Sequence, residues 1–246
     1  LMPGDSEEGR AGSDTINGYI DTVLEAEDLA AIVLRVNSPG GSVFASDLIR
    51  RKLLEVADAG IPIVVSMGTV AASGGYWIAA EADEIWALPT TLTGSIGAFT
   101  AFPTIEGILE YIGVTVDGVG TTPLAGAASF NRGLSPEMAS IVQALAYGAY
   151  DDFIELVASG RGMSERAVRD VADGLVWTGA EAADRGLVDE LGGLDEAVAA
   201  AARLAGVEEW RTARTRVPPT FESVLLRELS GSFGIVAAPL GGWFES

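Results

Sequence analysis

Residues 61–78, IPIVVSMGTVAASGGYWI, put a serine where a nucleophile would need to stand. An uncharged run rich in Ile and Val, too short for most helices and closed by Gly68, reads as a buried strand, and AASGGYWIAAEA after it can open a helix. Ser73 then lies near a strand-to-helix junction. There its hydroxyl can face a cleft, the following N–H groups point the same way, and Gly74 and Gly75 carry no side chain to obstruct a substrate. Acyl transfer needs that geometry. The plainer alternative is a serine that caps a helix start, with the glycines serving close packing.

The rest of the composition narrows the chemistry. The chain has no His, which rules out a Ser-His-Asp triad made within it and removes the commonest zinc ligand. It has no Cys, so thiolate nucleophiles, thiolate metal sites and disulfides are excluded. No metal or cofactor is expected. Lys52 is its single lysine, so a serine mechanism must use Lys52, a carboxylate, or a group from another chain. A net charge of −20 argues against nucleic-acid phosphates and anionic lipid headgroups as partners.

The elements that would position Ser73 follow from the punctuation of the sequence. With 246 residues, 48% of them apolar, a substantial core can form. Residues 1–18 read as a mobile leading segment rich in Gly, Ser and acidic residues, with Asp14 or Asn17 able to cap a helix over 19–30. AIVLRVN (31–37) has the pattern of a buried strand and ends in SPGGS (38–42), where Pro39 fixes one φ and Gly40 and Gly41 allow a sharp turn. Leading into the helix ASDLIRRKLLEVADAG (45–60), that turn can aim backbone donors at an anion, or simply join strand to helix. DEIWAL (83–88) reads as a third strand. Alternating strands and helices predict a parallel sheet, with both Gly-rich loops at the same edge, where such sheets bind ligands.

Beyond it, PTTLTGSIGAF (89–99) is a small-residue turn carrying Ser95, followed by a helix over 103–112 and a strand near 114–119. Residues 121–138 read as an exposed excursion. Ser135-Pro136-Glu137 has the start signals of a long helix to about 159, and Ser164-Glu165 begins another. Residues 176–206 read as two short helices and a turn, with Trp177 a packing anchor. The tail from Trp210 carries Arg residues, Pro218-Pro219, an amphipathic segment over 220–230 and the apolar stretch FGIVAAPLGGWF (233–244), which could dock on a partner or membrane surface. No run approaches the ~20 apolar residues of a membrane span. The opening Leu1-Met2-Pro3 lacks the layout of a secretory leader, and the chain is expected to be a piece of something longer.

Taken together, VLRVNSPGGSV, SMGTVAASGGYWIA, TLTGSIG and VWTGAEAADRGLVDELGG resemble signal peptide peptidase A, or protease IV, a serine-lysine peptidase family of the ClpP/crotonase superfamily. The likeness runs from about Ile32 to Gly206 and is strongest to the carboxyl-terminal half of the long, two-repeat form. It implies an α/β fold, a ClpP/crotonase-like repeated β-β-α superhelix with a mostly parallel sheet and a helical carboxyl-terminal extension. It implies a peptidase domain over 19–206, with 207–246 as a tail. Ser73 matches the family's nucleophile. The N–H of Gly74, with one from Gly40-Gly41, matches the oxyanion hole, and Ser95 matches a serine that hydrogen-bonds the catalytic lysine.

In the long form that lysine comes from the amino-terminal repeat. In the short form it lies in a region that here reads PLAGAASFNRG (123–133) and contains no Lys. Lys52, beside Arg50 and Arg51, is expected on a solvated helix face, and Arg132 stays protonated. The resemblance therefore implies a shared site, with another polypeptide supplying the base. It further implies hydrophobic peptide substrates such as cleaved signal peptides, a homo-oligomer, and membrane association through a segment absent from this chain, with the catalytic part on the extracytoplasmic side. Three other readings remain open: a non-catalytic assembly subunit, a crotonase-like acyl-coenzyme A enzyme, and a related membrane-protein-associated serine protease with a different peptide substrate.

Overall fold

In a computed structural model, which describes residues 1–122, 124–127 and 129–215, the chain divides into the compact unit Leu1–Arg211 and a second unit, Thr212–Ser246. The expected amphipathic segment over 220–230 and the apolar stretch over 233–244 lie outside the described residues. In chain order the first unit contains α1 (Ser13–Leu24), β1 (Ile32–Ser38), α2 (Val43–Asp58), β2 (Ile63–Ala72), α3 (Gly74–Trp77), β3 (Glu84–Ala87) and β4 (Leu92–Gly94). There follow α4 (Glu106–Tyr111), α5 (Pro136–Arg161), α6 (Glu165–Arg169), β5 (Val176–Thr178), α7 (Gly179–Asp184), β6 (Glu190–Leu191) and α8 (Leu194–Leu204).

The sheet is built on β2. Along one side it pairs with β1 in parallel, from Ile32↔Ile63 to Ser38↔Ala71. Along the other it pairs first with β3, at Val64–Ser66, and then with β4, at Val70–Ala72, both in parallel. β6 extends β3 in parallel and β5 closes on β4 in antiparallel fashion, so the sheet is mostly parallel, as expected. Alternation along β2 sorts its two faces. Val64 packs with Ala197 and Ala201 of α8, whereas Val65 and Met67 join Ile49 and Val56 of α2 and Phe153 and Ile154 of α5. Each such fully buried side chain contributes about 1.5–3 kcal/mol.

Gly68 does not end the strand, contrary to its reading as a turn. Between Val36↔Met67 and Ser38↔Ala71 the register shifts, so β2 bulges opposite Asn37. Asn37 Oδ1 accepts the Val70 N–H at 3.2 Å, and a Cβ on Gly68 would meet Asn37 at 2.9 Å. Gly68 thus makes room for a side chain that replaces a ladder bond, and the strand continues to the residue before Ser73.

Elsewhere the boundaries shift. α1 starts at Ser13 rather than near 19, capped by Gly12, so Asp14 and Asn17 lie within the helix instead of capping it. Residues 1–12 form hydrogen-bonded turns, including a bridge between Met2 and Gly12. Residues 114–119 form no strand. The start signals of α5 and α6 act as expected, with Ser135 Oγ accepting from Met138 N–H and Ser164 Oγ from Ala167 N–H.

Candidate active site

At the end of β2 the backbone turns on Ser73 itself. Its φ of 51° and ψ of −121° lie in a region that side chains avoid, a conformation that costs about 1–3 kcal/mol and persists only when its surroundings enforce it. The enforcement is visible. Ser73 N–H donates to Gly94 O at 2.9 Å, and Ser73 O accepts from the N–H groups of Tyr76 and Trp77 at 2.8 and 2.9 Å. Below it, the buried Tyr76 hydroxyl donates to Leu187 O at 2.8 Å and locks α3 in place. Between Ala71 and Ala80, Ser73 is the one residue that is not buried. Its hydroxyl makes no capping bond to α3. The capping alternative therefore does not describe this serine.

The two Gly-rich loops interlock around it. A Cβ on Gly40, at φ 112°, would stand 2.8 Å from both Ser73 Cβ and Gly74 N. A Cβ on Gly74 would meet Ser46 Oγ at 2.5 Å and Gly41 N at 3.3 Å, and one on Gly75 would meet Ser38 O at 2.7 Å. Only glycine lets the turns approach this closely. Ser38 Oγ accepts the Gly40 N–H at 3.1 Å and fixes the SPGGS turn, and Ser42 caps α2 just after it. Among the described residues, neither Gly41 nor Gly74 donates its N–H to a backbone carbonyl. Two adjacent free donors beside a hydroxyl can receive a developing oxyanion.

Ser95 arrives by register. Ala72 pairs with Gly94, so the residues that follow the two strands, Ser73 and Ser95, lie side by side. Ser95 shares the φ of 51° and donates its N–H to Leu175 O at 2.8 Å. Ser73, Ser95, Gly40 and Gly41 all line one cleft of about 1060 Å³, whose far wall is the face of α5 bearing Gln143, Ala146, Tyr147 and Tyr150. The cleft also takes in Asp173, the third non-glycine residue with positive φ among the described residues, at 56°. Sequence reasoning missed it. Its signal was Asp173-Gly174, a turn pair between the helix begun at Ser164-Glu165 and the stretch read from 176.

Lys52 stands outside this cleft. Its ammonium binds Asp21 at 2.6 Å and Glu55 at 2.7 Å, and those hydrogen bonds raise its pKa above the ordinary lysine value. A base needs the opposite shift. No lysine or arginine lines the cleft among the described residues, nor does any group of acidic side chains have the arrangement of a metal site. Trp177 is a packing residue, as expected: its Nε1–H donates to Val171 O at 2.9 Å and Arg185 lies 3.7 Å above its ring.

A mostly parallel sheet whose longest strand ends in this turn defines an α/β fold of the ClpP/crotonase type, and a ClpP1 mutant from Listeria monocytogenes matches the fold with a TM-score of 0.51 at 18% identity, over 76% of this chain and 86% of that one. The sequence model of peptidase family S49 matches residues 55–208, and the chain belongs to that family. Protease 4 from Salmonella typhi is 46% identical over 94% of this chain and 37% of its own length. Protease 4 from Haemophilus influenzae is likewise 46% identical, over 83% of this chain and 33% of its own. The chloroplastic serine protease SPPA of Arabidopsis thaliana is 40% identical over 76% of this chain and 28% of its own. The chain thus spans about a third of the length of these relatives.

Proposed function

We propose that this chain supplies the nucleophile and oxyanion hole of a serine endopeptidase of the Ser-Lys type, and that another polypeptide supplies the lysine. The observation that carries the proposal is the strained, uncapped Ser73 facing a cleft beside the unpaired N–H groups of Gly74 and Gly41. Relatives named Protease 4 and serine protease support the class. In the reaction, Ser73 Oγ attacks the scissile carbonyl carbon and its proton passes to a neutral lysine amine. The oxyanion accepts hydrogen bonds from Gly74 and the Gly40-Gly41 turn, each worth about 3–4 kcal/mol in the transition state. The lysine then protonates the departing amine; in the second half water, giving its proton to the lysine, attacks the acyl carbon, and the ammonium returns that proton to Ser73 Oγ as the acid leaves. Such a lysine must be neutral near pH 7, a shift from ~10.4 that costs about 4–5 kcal/mol and calls for a closed, apolar setting. Ser95, adjacent to Ser73, would hold that amine by a hydrogen bond.

The apolar lining, with Phe99, Ala146 and Tyr147, suits extended hydrophobic peptides such as cleaved signal peptides. We extend the proposal to a homo-oligomer that associates with the membrane through a segment outside this sequence, with its cleft on the extracytoplasmic side. Among the described residues no helix is long and apolar enough to cross a membrane. An acyl-coenzyme A substrate is disfavoured because its phosphates would find no lysine or arginine along the cleft among the described residues. The second reading, a non-catalytic assembly subunit, draws on the exposed apolar side chains between Phe99 and Tyr147.

The test is hydrolysis of a fluorogenic hydrophobic peptide by this chain alone, by the chain with the polypeptide encoded upstream, and by that mixture with Ser73→Ala. Activity in the mixture alone, abolished by the substitution, is the expected result. Equal activity of the lone chain would remove the borrowed lysine, and inactivity throughout with assembly intact would favour the assembly subunit.

A further inference from the structure

Asp173 is the one charged side chain that lines the cleft among the described residues. The antiparallel pairing of β4 with β5 continues past the ladder, because Ser95 N–H donates to Leu175 O and Gly174 N–H donates to Ile96 O. Asp173 precedes Gly174, which packs against Gly97, and both line the cleft with Ser95.

Its carboxylate is held but not neutralised. Oδ1 accepts from the Tyr150 hydroxyl at 2.8 Å. Burial, and secondly that hydrogen bond, raises the Tyr150 pKa, which keeps the phenol a donor. The nearest cation of this cluster, Arg169, lies 5.5 Å from the Tyr150 ring centre and spends its guanidinium on Asp151 at 2.9 Å. Asp173 has no ion-pair partner among the described residues. An unpaired carboxylate on an otherwise uncharged lining attracts a cation.

We infer that Asp173, held by Tyr150, is a specificity residue that binds a lysine or arginine side chain of the peptide near the bond presented to Ser73. The inference rests on reading the cleft as the peptide channel. The substrate class it defines is an apolar peptide with one basic residue near the cleavage point, rather than a uniformly apolar one.

The test is fluorescence anisotropy with the full chain. The probes are acetylated, amidated Ala/Leu octapeptides bearing a neutral dye, in which one lysine is scanned along the sequence against norleucine at the same position. At low salt, lysine at one position should bind about fivefold tighter than norleucine, the scale of an exposed ion pair. Added salt should shrink that ratio, a readout that needs no variant. Asp173→Asn, which keeps an acceptor for Tyr150, should bring the ratio to one. Equal affinities at every position, a ratio that survives in Asp173→Asn or is insensitive to salt, or no binding by either peptide would overturn the inference. A lysine preference without hydrolysis in any assembly would sink the peptidase and leave this subsite standing, whereas hydrolysis without a preference would sink the subsite alone.

Discussion

Ser73 pays a conformational penalty that glycine would not, since its φ of 51° and ψ of −121° are open to a residue without Cβ. Ser73→Gly should therefore raise unfolding stability by about 1 kcal/mol while ending all reaction with a serine-directed phosphonate. Ser73→Ala keeps the Cβ and the strain, and should give no comparable gain. Denaturant unfolding of the two variants checks the difference, and equal stability would mean that the turn carries no strain. Gly40 and Gly60 separate strain from crowding. Both have positive φ, but a Cβ on Gly60 meets nothing within 4 Å, whereas one on Gly40 strikes Ser73 and Gly74. Gly60→Ala should cost about 1 kcal/mol and leave phosphonate labelling of Ser73 unchanged. Gly40→Ala should add to that cost and slow labelling by about 100-fold, the scale of a lost oxyanion donor. Labelling rates that fall equally in both would tie the effect to backbone strain alone.

At the level of elements, α2 is clamped over the turn after α3 by charge. Asp47 binds Arg50 at 2.9 Å and Arg51 at 2.7 Å, and Arg50 reaches Glu81 at 2.6 Å. Partial burial alone would raise the Asp47 pKa, but the two arginines outweigh it and hold the carboxyl below its ordinary range. A depressed folded pKa contributes stability above the unfolded pKa of ~3.9 and loses it as pH falls through the folded value. Asp47→Ala should then cost about 0.5 kcal/mol at pH 7, discounted for exposure, and the gap to the parent should close as pH falls below about 4. A gap constant with pH would assign the loss to packing. α5 is divided along its length: Phe153, Ile154, Leu156 and Val157 are buried, while the half before Tyr150 has no buried residue. In the lone chain, amide hydrogen exchange over 138–148 should run at least about 10-fold faster than over 154–160. The sequence announced α5 clearly, through Ser135-Pro136-Glu137 and an unbroken helical stretch. It announced β2 only to Gly68, because the bulge that carries the strand onward depends on Asn37, distant in sequence. β5 and β6, three and two residues long, gave no period to read, since their identity comes from pairing with β4 and β3. The same limit hid Asp173, whose place in the cleft is set by that β4–β5 pairing, whereas the glycines of SPGGS and ASGGYW declared the two loops locally.

At the scale of the molecule, two long-range terms oppose each other. A formal charge of −20 makes copies of the chain repel. Against it stand apolar side chains left in solvent: Phe99 is 92% exposed, Tyr111 91%, Leu145 68% and Ile108 63%. In the oligomer proposed above, these large apolar groups of residues 99–111 and of the first half of α5 would be covered by another copy. The two terms respond oppositely to salt. Screening shortens the repulsion, to a Debye length of about 3 Å at 1 M, and leaves apolar burial intact or strengthened. Self-association should therefore increase with salt, the reverse of an interface held by ion pairs. Sedimentation velocity from about 0.02 to 0.5 M salt should show the average mass rising, and Ile108→Glu with Leu145→Glu should hold it near that of one chain. These positions lie outside the Ser73 loops, so loss of association with phosphonate labelling preserved would make assembly separable from the nucleophile. If labelling fell together with association, the assembly would itself be shaping the turn around Ser73. A single-chain mass at every salt concentration would mean that these side chains meet something other than a second copy.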